Sequence, residues 1–131
     1  MLRRAAIGLL PLLLFALACP IEDPIRMRGV VQQMDYEDHD GSLQRGKRIA
    51  GAEIELHCRD HQPNTLGKTD EMGRFHHRAA VEIPQHCRLT ARHPDYLSRT
   101  VSVADICARG TRANCQYIGF TLRLADSGGD S

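Results

Sequence analysis

The chain has 131 residues, a length that suits one domain, and holds no Trp, three Phe and three Tyr, so its core must be mostly aliphatic. Its formal charge is +1 from 17 basic and 16 acidic residues; taking Arg3 and Arg4 away with the leader leaves 15 against 16, a net of −1. A balance this close to neutral argues against nucleic acid as a partner, which calls for a clustered basic face.

Met1 to Cys19 opens with the Arg3-Arg4 pair and continues through an apolar run from Ala5 to Ala18. The run is too short to span a bilayer comfortably and ends in small residues, so residues 1–18 read as a secretory signal. Ala16-Leu17-Ala18-Cys19 resembles the bacterial lipobox, in which the Cys is acylated and becomes the new first residue. The alternative is ordinary cleavage after Ala18, with Cys19 a plain thiol. Parity favours acylation: five cysteines is an odd number, and an unpaired Cys in an exported protein needs a role. The expected location is therefore the bacterial envelope, the outer membrane favoured, with a lipid anchor at Cys19 and the periplasmic or surface face left open. Residues 19–26 form a short tether with two prolines.

From residue 27 the pattern is that of strands. Met27, Gly29 and Val31 share one face of the first. Residues 32–47 are polar and read as a loop; Asp35, Glu37, Asp38 and Asp40 precede Gly41, but the order fails the calcium-loop test because the first ligand position falls on Tyr36 and no closing Glu follows. Between Arg48 and Cys58, Ala52, Ile54, Leu56 and Cys58 alternate with Glu53, Glu55 and His57, a half-buried strand. A polar loop follows. Thr69, Asp70 and Gly73 then make a turn into a strand from Phe75 to Ile83, ended by Pro84. Cys87, Leu89 and Ala91 point inward and Arg88, Thr90 and Arg92 outward. His93 to Tyr96 is a turn. Val101 and Val103 mark a strand over 99–103. Residues 104–116 read as an irregular loop, Ile118, Phe120, Leu122 and Leu124 line the last strand, and 125–131 read as a disordered tail. The expected fold is all-β: a single antiparallel Greek-key β-sandwich of about seven strands over 27–124.

Met27-x-Gly29-x-Val31, Ile49-Ala50-Gly51-Ala52-x-Ile54-x-Leu56 and Thr69-Asp70-x-x-Gly73-x-Phe75, in that order, resemble the carboxypeptidase regulatory-like domain. The resemblance extends through Val101-x-Val103 and Phe120-x-Leu122-x-Leu124. It implies a transthyretin-like sandwich and a non-catalytic module, often attached to peptidases or outer-membrane receptors. The motif residues have structural roles. Gly51 enters a strand in a conformation other residues dislike, Asp70 bonds the backbone two residues on, and Gly73 takes positive φ. Three features depart from the family: Arg48 stands where the family often has Pro, the first hairpin loop is longer, and the Cys107 to Cys115 loop is an addition.

Four cysteines beyond Cys19 allow three pairings. Cys58 shares a face with Leu56 and Cys87 with Leu89, so both point into the sandwich, which favours Cys58–Cys87 with Cys107–Cys115. His57-Cys58-x-x-His61, His76-His77 and His86-Cys87 raise a zinc question, yet disulfides remove the thiolates and no HExxH or CxxC spacing is present. No metal and no cofactor is expected. The alternative function is a metal-dependent or hydrolytic enzyme on the same transthyretin-like fold. Hydroxyisourate hydrolases, however, end in Tyr-Arg-Gly-Ser, where this chain ends Leu122 to Ser131 without it. Intradiol dioxygenases hold iron with two Tyr and two His, whereas Tyr36, Tyr96 and Tyr117 are scattered. No nucleophile–base set is found, so no catalytic residue is assigned. The reading is a non-catalytic envelope lipoprotein whose partner is an envelope protein or peptide.

Overall fold

The computed structural model describes residues 25–127; the leader, Cys19 and most of the tether lie outside them. In chain order the strands are β1 (Ile25–Gln33), β2 (Tyr36–Glu37), β3 (Leu43–Gln44), β4 (Glu53–His57), β5 (Asn64–Lys68), β6 (Arg74–Ala79), β7 (Ile83–Pro84), β8 (Arg88–Arg92) and β9 (Arg99–Ser102). A single helical turn, α1 (Val103–Ile106), precedes β10 (Cys107–Gly110) and β11 (Asn114–Leu124). One large sheet has the order β10-β11-β1-β6, with β7 pairing β11; a second has the order β5-β4-β8-β9, and β2 and β3 form a two-stranded sheet of their own. The fold is an all-β sandwich. Its strands outnumber seven because the edges are built from short pieces.

Alternation creates the core. Met27 and Val31 on β1, Phe75 on β6, and Ile118, Leu122 and Leu124 on β11 are buried from the first sheet. Ile54, Leu89 and Ala91 meet them from the second. Gly29, Phe75 and Phe120 lie in one row across β6, β1 and β11. A β-carbon on Gly29 would stand 2.1 Å from the Phe120 ring, so the glycine makes room for one of the few aromatic rings. The Phe75 and Phe120 ring centroids are 6.3 Å apart.

One pairing is not antiparallel. β1 runs parallel to β11, Arg26 opposite Tyr117 through Gln33 opposite Leu124. Parallel neighbours need a long crossover, and here the whole intervening chain supplies it.

Three segments differ from the sequence expectation. Asn64–Lys68 is an edge strand, not loop; a bulge at Leu66 and its Asn and Gly residues hide the alternation. The 104–116 segment is α1 followed by a β10–β11 hairpin rather than irregular loop. Its helical turn is capped by Ser102, whose Oγ accepts from the Ala104 N–H at 3.2 Å. The strand expected over 75–83 breaks after Ala79, letting Val81 swing out to 74% exposure while Ile83 re-enters the core as β7. The regular structure also begins at Ile25, inside the expected tether. At the other end, Ala125 and Asp126 are held by the 96–97 turn: Ala125 O accepts from Leu97 N–H at 2.8 Å and Asp126 bridges Tyr96.

Both disulfides lie within a sheet. Cys58 and Cys87 are joined, their Cα atoms 4.2 Å apart, one step beyond the His57–Arg88 pair of β4 and β8. Cys107 and Cys115 fasten β10 to β11. The layers are instead tied at a corner. Thr69 lies between β5 in one sheet and β6 in the other, and is buried. Its hydroxyl donates to Ile49 O at 2.7 Å and accepts from Ala52 N–H at 2.9 Å. Ile49 N–H in turn donates to Val31 O, and Val31 N–H donates to Gly73 O.

Two expectations follow. Thr69→Val orphans a buried N–H and a buried C=O, at about 1–3 kcal/mol each. Its urea midpoint should therefore fall by the equivalent of about 3 kcal/mol at unchanged m, whereas Thr69→Ser, which keeps the hydroxyl, should avoid most of that loss. With loop separations of 29 and 8 residues, chain entropy assigns about 3.5 kcal/mol to Cys58–Cys87 and about 2.5 kcal/mol to Cys107–Cys115. Paired Cys→Ala variants should lose stability in that order; a reversed order would refute the entropic account.

Candidate functional site: a groove at the end of the sandwich

Where β1 ends, the chain passes through Met34 and Asp35 into the small β2–β3 hairpin and returns along Lys47. This return is tightly held. Gln33 N–H donates to Lys47 O at 2.8 Å, and Asp35 Oδ1 accepts from Gly46 N–H at 3.0 Å. A β-carbon on Gly46 would lie 1.7 Å from Gln33 O, so only glycine lets the strands approach this closely. Met34 N–H donates to Leu124 O, fixing the loop to the end of β11. On the far side stands Tyr96, edge-on to His93 with centroids 5.3 Å apart.

Between these walls lies a groove of about 520 Å³. Its apolar surface comes from Met34, Tyr36 and Tyr96; Lys47, Asp35 and Asp126 bring charge to it. Met34 and Tyr36 are 44% and 45% exposed although both are large and apolar. Two phenol rings and a thioether beside one ammonium and two carboxylates suit a short amphipathic segment: rings grip a side chain, charges orient a polar backbone or terminus. The family resemblance did not point here, because the family motif marks turns. The signal present in the sequence is the pairing of Met34 and Tyr36 inside an otherwise polar loop.

The expected turn residues are elsewhere in the fold. Gly51 and Gly73 have φ of 73° and 72°. Gly73 also stands where a β-carbon would meet Val31 O at 2.7 Å. Asp70 Oδ1 accepts from the Met72 and Arg74 N–H groups, each at 2.9 Å. Asp40 closes the hairpin loop, its Oδ1 accepting from Ser42 N–H and from Ser42 Oγ. The Ser42 hydroxyl and N–H hold the Asp40 carboxyl below its ordinary value.

A second polar group lies on the outer face of β4 and β8. Glu55 is held between His57 Nε2 at 3.1 Å and Arg92 at 3.3 Å. Thr90, expected outward, does face outward but is nearly covered, and its hydroxyl bonds Thr100 at 2.8 Å. No hydroxyl or thiol nucleophile has a bond to His57 or Glu55 among the described residues. Likewise, no group of three or more His, Cys, Asp or Glu converges among the described residues. His76 and His77 point to opposite faces of β6. Cys19 lies outside the described residues.

The described cysteines are both pairs oxidised, which indicates an oxidising, exported environment. Among the described residues no helix is long and apolar enough to cross a membrane. No family model matches the chain, and no curated protein matches it. Among solved structures, the chain is similar to the major plantain pollen allergen Pla l 1, with 16% identity and a TM-score of 0.47, over 80% of this chain and 95% of that one. It is also similar to the group B streptococcus pilus 2b backbone protein, with 12% identity and a TM-score of 0.48, over 84% of this chain and 43% of the pilus chain. The chain thus spans less than half of that protein's length. The class stated here, a disulfide-bonded β-sandwich, rests on the sheets themselves.

Asp70 carries a pH prediction. The backbone N–H of Arg74 above all, with that of Met72 and the nearby charges of Arg74 and His76, holds its carboxyl below the ordinary carboxylate value. A depressed folded value means stability that is present above the unfolded value, near pH 4, and lost as pH falls through the folded one. Between about pH 4 and pH 2 the melting temperature of the native chain should drop more steeply than that of Asp70→Asn. Parallel slopes would remove Asp70 from the acid response.

Proposed function

We propose that the chain is an exported lipoprotein, acylated at Cys19, whose carboxypeptidase regulatory-like sandwich is a non-catalytic module that binds a protein or peptide of the bacterial envelope. The groove carries this reading: Met34, Tyr36 and Tyr96 line one cleft at the end of the sandwich together with Lys47, Asp35 and Asp126. A groove that combines apolar and charged side chains binds by burial and orients by charge. The outer membrane is the favoured location. The signal-like leader, the lipobox resemblance and the two disulfides support export. The Met27-to-Phe75 motif supports the family.

The test is site-specific photocrosslinking in the native envelope. A benzophenone amino acid at Tyr36 or Tyr96 should yield one discrete adduct that the same probe at Val81, at the opposite end of β1, does not. Metabolic labelling with a palmitate analogue should mark the chain and fail with Cys19→Ser. Equal adduct patterns from Tyr36 and Val81 would remove the groove from the reading; an unlabelled native chain would remove the anchor.

A further inference from the structure

The outer face of the β10-β11-β1-β6 sheet is cationic. Arg26 and Arg28 on β1, Arg74, His76 and Arg78 on β6, and Arg123 on β11 all alternate with buried residues and all are exposed. Arg26 lies directly opposite Arg78. None of the five arginine side chains has an ion pair or hydrogen bond among the described residues. Two carboxylates border the face. Asp70 spends an oxygen on the Met72 and Arg74 N–H groups, and Glu82 accepts from Gln116 Nε2 at 3.3 Å. Like charges directly opposite on a sheet destabilise it. Five arginines on one face of a chain whose net charge beyond the leader is −1 therefore work against folding and call for a counter-charge from outside.

We infer that this face lies on an anionic membrane surface, its arginines pairing with lipid phosphates. Three observations select that occupant. The face spans three neighbouring strands, β6, β1 and β11, and it is lined by guanidinium groups, which match phosphate oxygens in pairs. The acidic residues Asp35, Glu37, Asp38 and Asp40 follow the end of β1 and none stands on the strand positions that build this face, so they leave its arginines unneutralised. Finally, Ile25 follows Cys19 by six residues, a reach of at most about 20 Å, so an acylated Cys19 holds β1 close to the bilayer. This last point rests on the proposed anchor; the first two do not.

The test separates the two. The purified full-length Cys19→Ser chain, which carries no acyl group, is sedimented with vesicles of phosphatidylcholine alone or with about 30 mol % phosphatidylglycerol. Apolar insertion of the leader cancels in the difference between compositions, and the Arg3-Arg4 pair contributes equally to every variant, so the comparison of variants isolates the face. Binding should favour the anionic vesicles and collapse when salt rises from about 0.1 M to 0.5 M. R26Q/R28Q/R78Q should lower partitioning onto the anionic vesicles about 100-fold, with an unchanged urea midpoint showing that the fold is kept. R45Q/R59Q/R88Q, which removes the same charge elsewhere, should leave most of it. Equal loss in both triple variants would make net charge the cause and overturn the assignment. So would vesicle binding blind to phosphatidylglycerol, or a duplex DNA oligonucleotide bound without any such discrimination.

Discussion

The hydroxyl of Thr69 sits where the sandwich is closed. Two chain passages between the sheets meet there: Ile49 to Ala52 entering β4, and Thr69 to Gly73 leaving β5 for β6. Each backbone group exposed by those passages would be an unpaired polar group in the interior. Thr69 Oγ1 serves one donor and one acceptor, and Val31 serves Ile49 and Gly73 from the other sheet. Because both disulfides run between neighbours within one sheet, covalent bonds stiffen each layer without joining the two. Joining falls to this corner and to the Phe75–Gly29–Phe120 row, where absence of a side chain on one strand admits a ring from the next.

That division explains how a chain with so few aromatic residues keeps a defined core. Aliphatic residues alone would fill the space but specify its packing loosely. The glycine row fixes where the large rings go, and the corner fixes the offset of the layers. The polar functions are then free to occupy what is left: an open end at Met34 and Tyr36, and an outer sheet face that carries charge.

Much of the scaffold was legible in the sequence because period-2 alternation survives wherever one face is buried. Ala52 to Leu56, Leu89 to Ala91 and Ile118 to Leu124 are such stretches. The cysteine pairing could be argued from the same faces, though facing inward was not the same as bridging the layers. What stayed hidden has three physical origins. The bulge at Leu66 shifts the period and made β5 look like loop. The hairpin at Cys107 is too short and polar to show alternation. The arginine face is assembled from positions 26 to 123, so no local run of charge announced it, and an overall balance near neutral concealed it. The groove was hidden for the same reason: Tyr36 and Tyr96 are brought together only by the ends of β1 and β11.

The parallel pairing of β1 with β11 has a mechanical side. The start of β1 and the finish of β11 lie at opposite ends of one ladder, about 30 Å apart for nine residues of strand. Tension drawn between a fixed amino end and whatever holds the carboxyl end acts along the strands. It loads every bond from Arg26 to Gln33 together, in shear, instead of peeling them one after another as in a hairpin pulled at its open end. A domain wired this way resists stretching along its own strands.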